Sequence, residues 1–193
     1  MVRTTDARGN AASLAYDALG NLTSLTDAMG VTLSFAYDVR GNMTSATDGD
    51  ARHWDFKYDE AGRQISKTDM LGRTVTSAYD EWGEVIRATD AAGAVTTYAY
   101  DSRGLPVSTA DALGNASTRK YDKCGNLVLE QDAAGNRTAY QYDGCGRVVA
   151  TIDKAGAMSA YAYDGAGRIV AMTDGEGYRR TYGYDEVGNL TSE

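Results

Sequence analysis

G-N-A-A-S-L-A-Y-D-A-L-G-N-L-T-S-L-T-D-A-M-G, residues 9–30, holds the plan of the whole chain. Its central pair, Tyr16-Asp17, recurs as Tyr37-Asp38, Tyr58-Asp59, Tyr79-Asp80, Tyr100-Asp101, Tyr121-Asp122, Tyr142-Asp143, Tyr163-Asp164 and Tyr184-Asp185. The step is 21 residues each time, without insertion or deletion. Each pair is followed, after two residues, by a glycine: Gly20, Gly41, Gly62, Gly83, Gly104, Gly125, Gly146, Gly167 and Gly188. A strict period of this length marks a repeat architecture. Residues 1–193 therefore read as a single array of nine units, with Met1 to about Thr5 and the last few residues outside complete units.

Each unit carries a second signal, D-x-x-G without the tyrosine, from Asp6–Gly9 and Asp27–Gly30 through to Asp174–Gly177. Aspartate at the first and glycine at the fourth position suit a type I turn, with the carboxylate accepting nearby backbone N–H groups. Of the 18 such positions, 17 end in glycine; at Asp48 the residue is Ala51, and the neighbouring Gly49-Asp50 is expected to shift that turn by a residue or two. Turns every ten or eleven residues break any helix and leave strands of ordinary length. The chain is thus expected to be all-β, an antiparallel hairpin meander whose wide sheet twists or coils.

The strand entering each Tyr-Asp pair alternates. Leu33, Phe35 and Tyr37, or Trp54, Phe56 and Tyr58, or Tyr140 and Tyr142, share one face, with Ser34, Ala36 or other small and polar residues between. Period two with an aromatic face is the pattern of a strand buried on one side. The return strand has adjacent apolar residues instead, such as Val148-Val149 and Ile169-Val170. Either both faces are covered there or a bulge follows the turn glycine. Pro106 favours the bulge, since proline inside a sheet is confined to edges, bulges and first residues.

Composition excludes several classes. The hydrophobic fraction is 42%, a folded rather than a disordered composition. The net charge of −8 carries no basic patch for nucleic acid, and 18 of the 27 acidic residues are the repeat aspartates. No apolar run suffices for a transmembrane helix, and no apolar stretch follows Met1-Val2-Arg3-Thr4, so neither a signal peptide in these residues nor membrane insertion is expected. Cys124 and Cys145 occupy equivalent positions in adjacent units, two strands or roughly 9–10 Å apart, beyond disulfide reach. They are expected to be free thiols at turns.

Candidate chemistry is sparse. Tyrosine and aspartate of one pair point to opposite faces and do not converge on a substrate. The period is wrong for a calcium-binding solenoid, and the two aspartates of a unit sit at opposite strand ends. His53 is the lone histidine, without repeat mates to form a metal site or a nucleophile–base pair. No catalytic, cofactor or metal residues are expected, and the chain is not expected to be an enzyme.

The quoted stretch resembles the YD repeat of Rhs proteins, Tc toxin C subunits and teneurins, and Gly146-Arg147 and Gly167-Arg168 match its G-R variant. The resemblance implies a β-sheet spiralling into a hollow shell. In bacterial members that shell encloses a C-terminal toxin, delivered by secretion systems to competing or host cells. The partners implied are the rest of such a shell and its enclosed toxin. Against the full-length family, the sole proline, Pro106, leaves no D-P-x-G core motif within these residues, and no separate toxin or catalytic domain is expected in them. The chain is expected to be a wall segment, self-associating through its sheet edges when isolated. The alternative is a carbohydrate- or cell-surface-binding module using the aromatic repeats.

Overall fold

The computed structural model describes residues 2–5 and 11–193. It is built of strands and tight turns, and the chain divides into two units, Met1–Thr96 and Thr97–Glu193. Among the described residues no helix is long and apolar enough to cross a membrane.

The first unit contains β1 (Val2–Thr5), β2 (Ala11–Tyr16), β3 (Leu22–Thr26), β4 (Thr32–Tyr37), β5 (Met43–Thr47), β6 (His53–Tyr58), β7 (Gln64–Thr68), β8 (Thr74–Tyr79) and β9 (Val85–Thr89). Each strand pairs antiparallel with the next in sequence. The second unit begins within β10 (Val95–Tyr100). It continues through β11 (Pro106–Ala110), β12 (Ala116–Tyr121), β13 (Leu127–Gln131), β14 (Arg137–Tyr142), β15 (Val148–Ile152), β16 (Met158–Tyr163), β17 (Ile169–Thr173) and β18 (Arg179–Thr181). These too form an antiparallel meander, and β19 (Gly183–Tyr184) pairs with β20 (Leu190–Ser192) as the last hairpin. The all-β meander is thus the observed fold.

The bulge is present. In all nine hairpins closed by a Tyr-Asp turn the register shifts at the tyrosine: Tyr142 pairs with Val148, but Gln141 pairs with Ala150. Val149 is the extra residue, so adjacent valines both fit beside one tyrosine. Pro106 is the first residue of β11 and faces Tyr100, just before the bulge, where a missing N–H is tolerated. Pairings across the shorter D-x-x-G turns carry no such shift.

The core is thin. Among the described residues only Ala150 and Ala171, exposed by 3% and 8%, are buried, and no large side chain is fully enclosed. Eight of the nine repeat tyrosines are half-buried, and Tyr16 is 47% exposed. The alternation places them on one face, but that face is only partly covered.

At Asp48 the structure corrects the sequence reading. The turn is not shifted: the Asp48 N–H still bonds the Arg52 carbonyl, and the Ala51 N–H bonds the Asp48 carbonyl. Ala51 takes the left-handed conformation, φ 60°, that glycine holds elsewhere, as at Gly167 with φ 85°. Gly49 has another role, because a Cβ there would overlap the Val31 side chain. Ala51→Gly removes the left-handed penalty and, net of the freer unfolded chain, is expected to stabilise by about 0.5–1 kcal/mol. A rise in the urea midpoint at unchanged m-value is the check.

Candidate functional site

The Tyr-Asp turn, like the other D-x-x-G turns, gathers a dense set of polar contacts, and Asp164 shows its chemistry. The Asp164 N–H donates to the Arg168 carbonyl at 2.9 Å, and the Gly167 N–H donates to the Asp164 carbonyl at 3.0 Å. This is a type I turn followed by a left-handed glycine, the three-residue hairpin loop. The carboxylate completes it: Oδ1 accepts the N–H groups of Ala166 and Arg168, both at 2.9 Å, and Oδ2 accepts Arg168 Nε at 2.7 Å. The same backbone bonds recur in seventeen turns among the described residues. The Asp6–Gly9 turn lies outside them.

These contacts set the electrostatics. The Asn21 side-chain amide, with the Asn21 and Leu19 N–H groups, holds Asp17 below the ordinary carboxylate range. Asp38, Asp111, Asp122, Asp132 and Asp185 are lowered in the same way by their asparagines. In Asp143 and Asp164 the arginine N–H and guanidinium take that part. The aspartates are thus engaged with their own loops. Among the described residues no three His, Cys, Asp or Glu side chains are grouped as metal ligands.

The tyrosines act one strand pair away. A bulge interrupts the ladder and leaves a carbonyl without its usual partner. At several joints among the described residues the tyrosine hydroxyl of the next hairpin supplies one. Tyr79 donates to Gln64, Tyr121 to Pro106, Tyr142 to Leu127, Tyr163 to Val148 and Tyr184 to Ile169, at 2.7–2.9 Å. Each accepting residue immediately precedes the bulge residue.

An arginine clasp accompanies this bond. Arg63, Arg147 and Arg168 each pair with the aspartate of their own turn. Each also reaches the next hairpin, donating Nη1 to the carbonyl of Asp80, Asp164 or Asp185 at 2.7–3.2 Å. Each guanidinium lies 4.8 Å from the ring centroid of Tyr79, Tyr163 or Tyr184. Where Leu105 stands at this position, Arg103 substitutes from within the loop, bonding the Asp122 carbonyl at 2.6 Å. Arg40 likewise reaches the Glu60 carbonyl. Sequence reasoning marked Gly-Arg as a motif variant but assigned the arginines no role. The available signal was their fixed place, sixteen residues before the tyrosine they cover.

The sequence-singled residues thus act together: Asp and Gly close the turn, while Tyr79, Tyr121, Tyr142, Tyr163 and Tyr184 cross to the preceding repeat. Cys124 and Cys145 are free and exposed at the turns. His53 is less isolated than its sequence suggests: Nδ1 lies 2.8 Å from Thr47 Oγ1 and Nε2 lies 3.1 Å from Asp55 Oδ1. Equivalent places hold hydroxyl pairs, Thr26 with Thr32 and Thr68 with Thr74, so His53 joins a cross-strand polar ladder.

The comparisons agree with this geometry. A family model for the teneurin YD-shell matches residues 2–163, and one for the RHS repeat matches residues 163–193. The crystal structures of TcdB2-TccC3-Cdc42 and of TcdB2-TccC3 without its hypervariable C-terminal region share the fold. Each aligns with a TM-score of 0.58 and 16% identity, over 98% of this chain. The chain spans 13% of the length of each. No curated protein matches it in sequence. With the family model covering most of its length, the chain belongs to the teneurin YD-shell family of YD and RHS repeat proteins.

Proposed function

We propose that the chain is a stretch of wall in a hollow β-shell, enclosing a toxin polypeptide until its delivery from a bacterial cell to a competitor or host. The wall itself performs no chemistry in this reading. One observation carries it: within each unit the repeat tyrosines are left partly exposed, and only two alanines are buried among the described residues. Single-layer sheets must bury their apolar face against something. In the first unit the opposite face presents cross-strand hydroxyls, Ser24 beside Ser34, Ser34 beside Thr47, and Thr68 beside Thr74, as suits a solvent-facing exterior. Family membership supports the same reading.

Nitration with tetranitromethane tests it in the native gene product that carries this segment. Tyr142, Tyr163 and Tyr184 are expected to be protected in the intact protein and to react in the isolated chain. Equal reactivity in both would sink the enclosure. Saturable, specific glycan binding by the isolated chain would favour the surface-binding reading instead.

A further inference from the structure

At three joints the chain shows what belongs over the next tyrosine: a guanidinium paired with the carboxylate behind it and donating to the carbonyl ahead. At the joint between the Tyr121 and Tyr142 hairpins that position is Asn126. Its Nδ2 donates to Asp122 Oδ2 at 2.9 Å, as arginine Nε does elsewhere, but the short amide ends there. Among the described residues no cation lies over Tyr142, and no side chain donates to the Asp143 carbonyl. The Asp122 carboxylate is held by amides alone, the Cys124 and Asn126 N–H groups and the Asn126 side chain, while Arg103 reaches only the Asp122 carbonyl; the carboxylate thus lacks the guanidinium that Asp143 and Asp164 have.

A cleft lies at this joint. It is lined by Asp122, Asn126, Tyr140, Tyr142 and Asp143, with Cys124 and Cys145 at its rim. The Tyr142 hydroxyl is already committed to the Leu127 carbonyl, which fixes the ring beneath the space. An aromatic face, a carboxylate without a guanidinium partner and a carbonyl acceptor therefore stand where the next two joints hold a guanidinium.

We propose that this cleft is a binding site for a guanidinium group supplied from outside the chain, taking the place that Arg147 takes over Tyr163. The cation stacks on Tyr142, faces the Asp122 carboxylate and donates to the Asp143 carbonyl. Ammonium fits less well, being a compact point charge without the planar fork that stacks on a ring while donating sideways. The inference rests on the repeat geometry and not on the shell reading.

Two-dimensional NMR of the full chain tests it, with N-ethylguanidinium, the tripeptide Gly-Arg-Gly and the control Gly-Lys-Gly. Saturable shifts are expected at the Asn126, Tyr142, Asp143 and Cys145 amides with the guanidinium probes and not with the lysine peptide. Asn126→Arg fills the cleft from within and is expected to abolish those shifts. It should be no less thermally stable than the parent, which separates loss of binding from loss of fold. Shifts with N-ethylguanidinium alone assign a small-molecule source; shifts only with the arginine peptide assign a polypeptide. Absent shifts, equal shifts with lysine, shifts at the Tyr163 and Tyr184 turns that already hold a guanidinium, or shifts that persist in Asn126→Arg overturn the proposal.

Discussion

Tyr163→Ala is expected to destabilise the second unit by about 3 kcal/mol and Tyr163→Phe by about 0.5–1 kcal/mol. Truncating a fully buried aromatic costs about 3–5 kcal/mol, and Tyr163 is half-buried, so its packing contributes roughly half of that. Its hydroxyl bond to the Val148 carbonyl at 2.7 Å accounts for the phenylalanine loss. The low value reflects a carbonyl at an incompletely covered bulge, which water can reach. Stacking under Arg147 adds about 0.5–1 kcal/mol at an exposed site. In a repeat protein neighbouring units supply most of the coupling, so the damage is local. Hydrogen exchange is expected to accelerate first in β15–β17, with β11–β13 little changed. Uniform acceleration across the unit would show that the joint is not the cooperative link described here.

The same residues show what the sequence makes legible. Period and turn chemistry are written in every unit, because a D-x-x-G loop is a local structure whose donors and acceptors lie within five residues. The bulge is legible only in part: adjacent Val148 and Val149 leave either two covered faces or a bulge, and Pro106 at the equivalent strand start favours the bulge. The clasp is not. Equivalence under a 21-residue shift says which residues share an environment, but not that Arg147 is long enough to span to Asp164 and lie over Tyr163. That depends on strand separation and on which way the side chain leans, neither of which the period encodes. Ala51 marks a different limit. Its missing glycine suggested a displaced turn, yet Asp48 retains the two backbone acceptor contacts to Asp50 and Arg52, and this network outweighs the strain of one left-handed alanine. The degree of burial was not legible either. Alternation identifies a face, and only neighbouring layers decide whether it is covered.

Acid is expected to unfold the chain through the turns. The aspartates at positions 17, 38, 48, 59, 69, 101, 111, 122, 132, 143, 164 and 185 are all held below their ordinary value in the folded state. The unfolded state therefore binds protons more readily, and stability rises with pH across the window between the two values. The contribution is fully present above the unfolded aspartate value of about 3.9 and is lost as pH falls through the lower folded values. Each carboxylate keeps contact with solvent, nine of them being half-buried, and contributes little alone, but all twelve act in one direction and each closes a hairpin. A melting temperature that is flat from neutral pH to about pH 5 and falls steeply below about pH 4 is the expected profile. Salt separates the causes. Added sodium chloride screens the arginine pairs at Asp59, Asp143 and Asp164, but leaves the asparagine and backbone bonds at Asp17, Asp38 and Asp122 largely intact. The acid transition should therefore persist at high salt with only a modest shift. If salt abolished it, net charge repulsion and ion pairing, rather than capped turns, would be holding the hairpins closed.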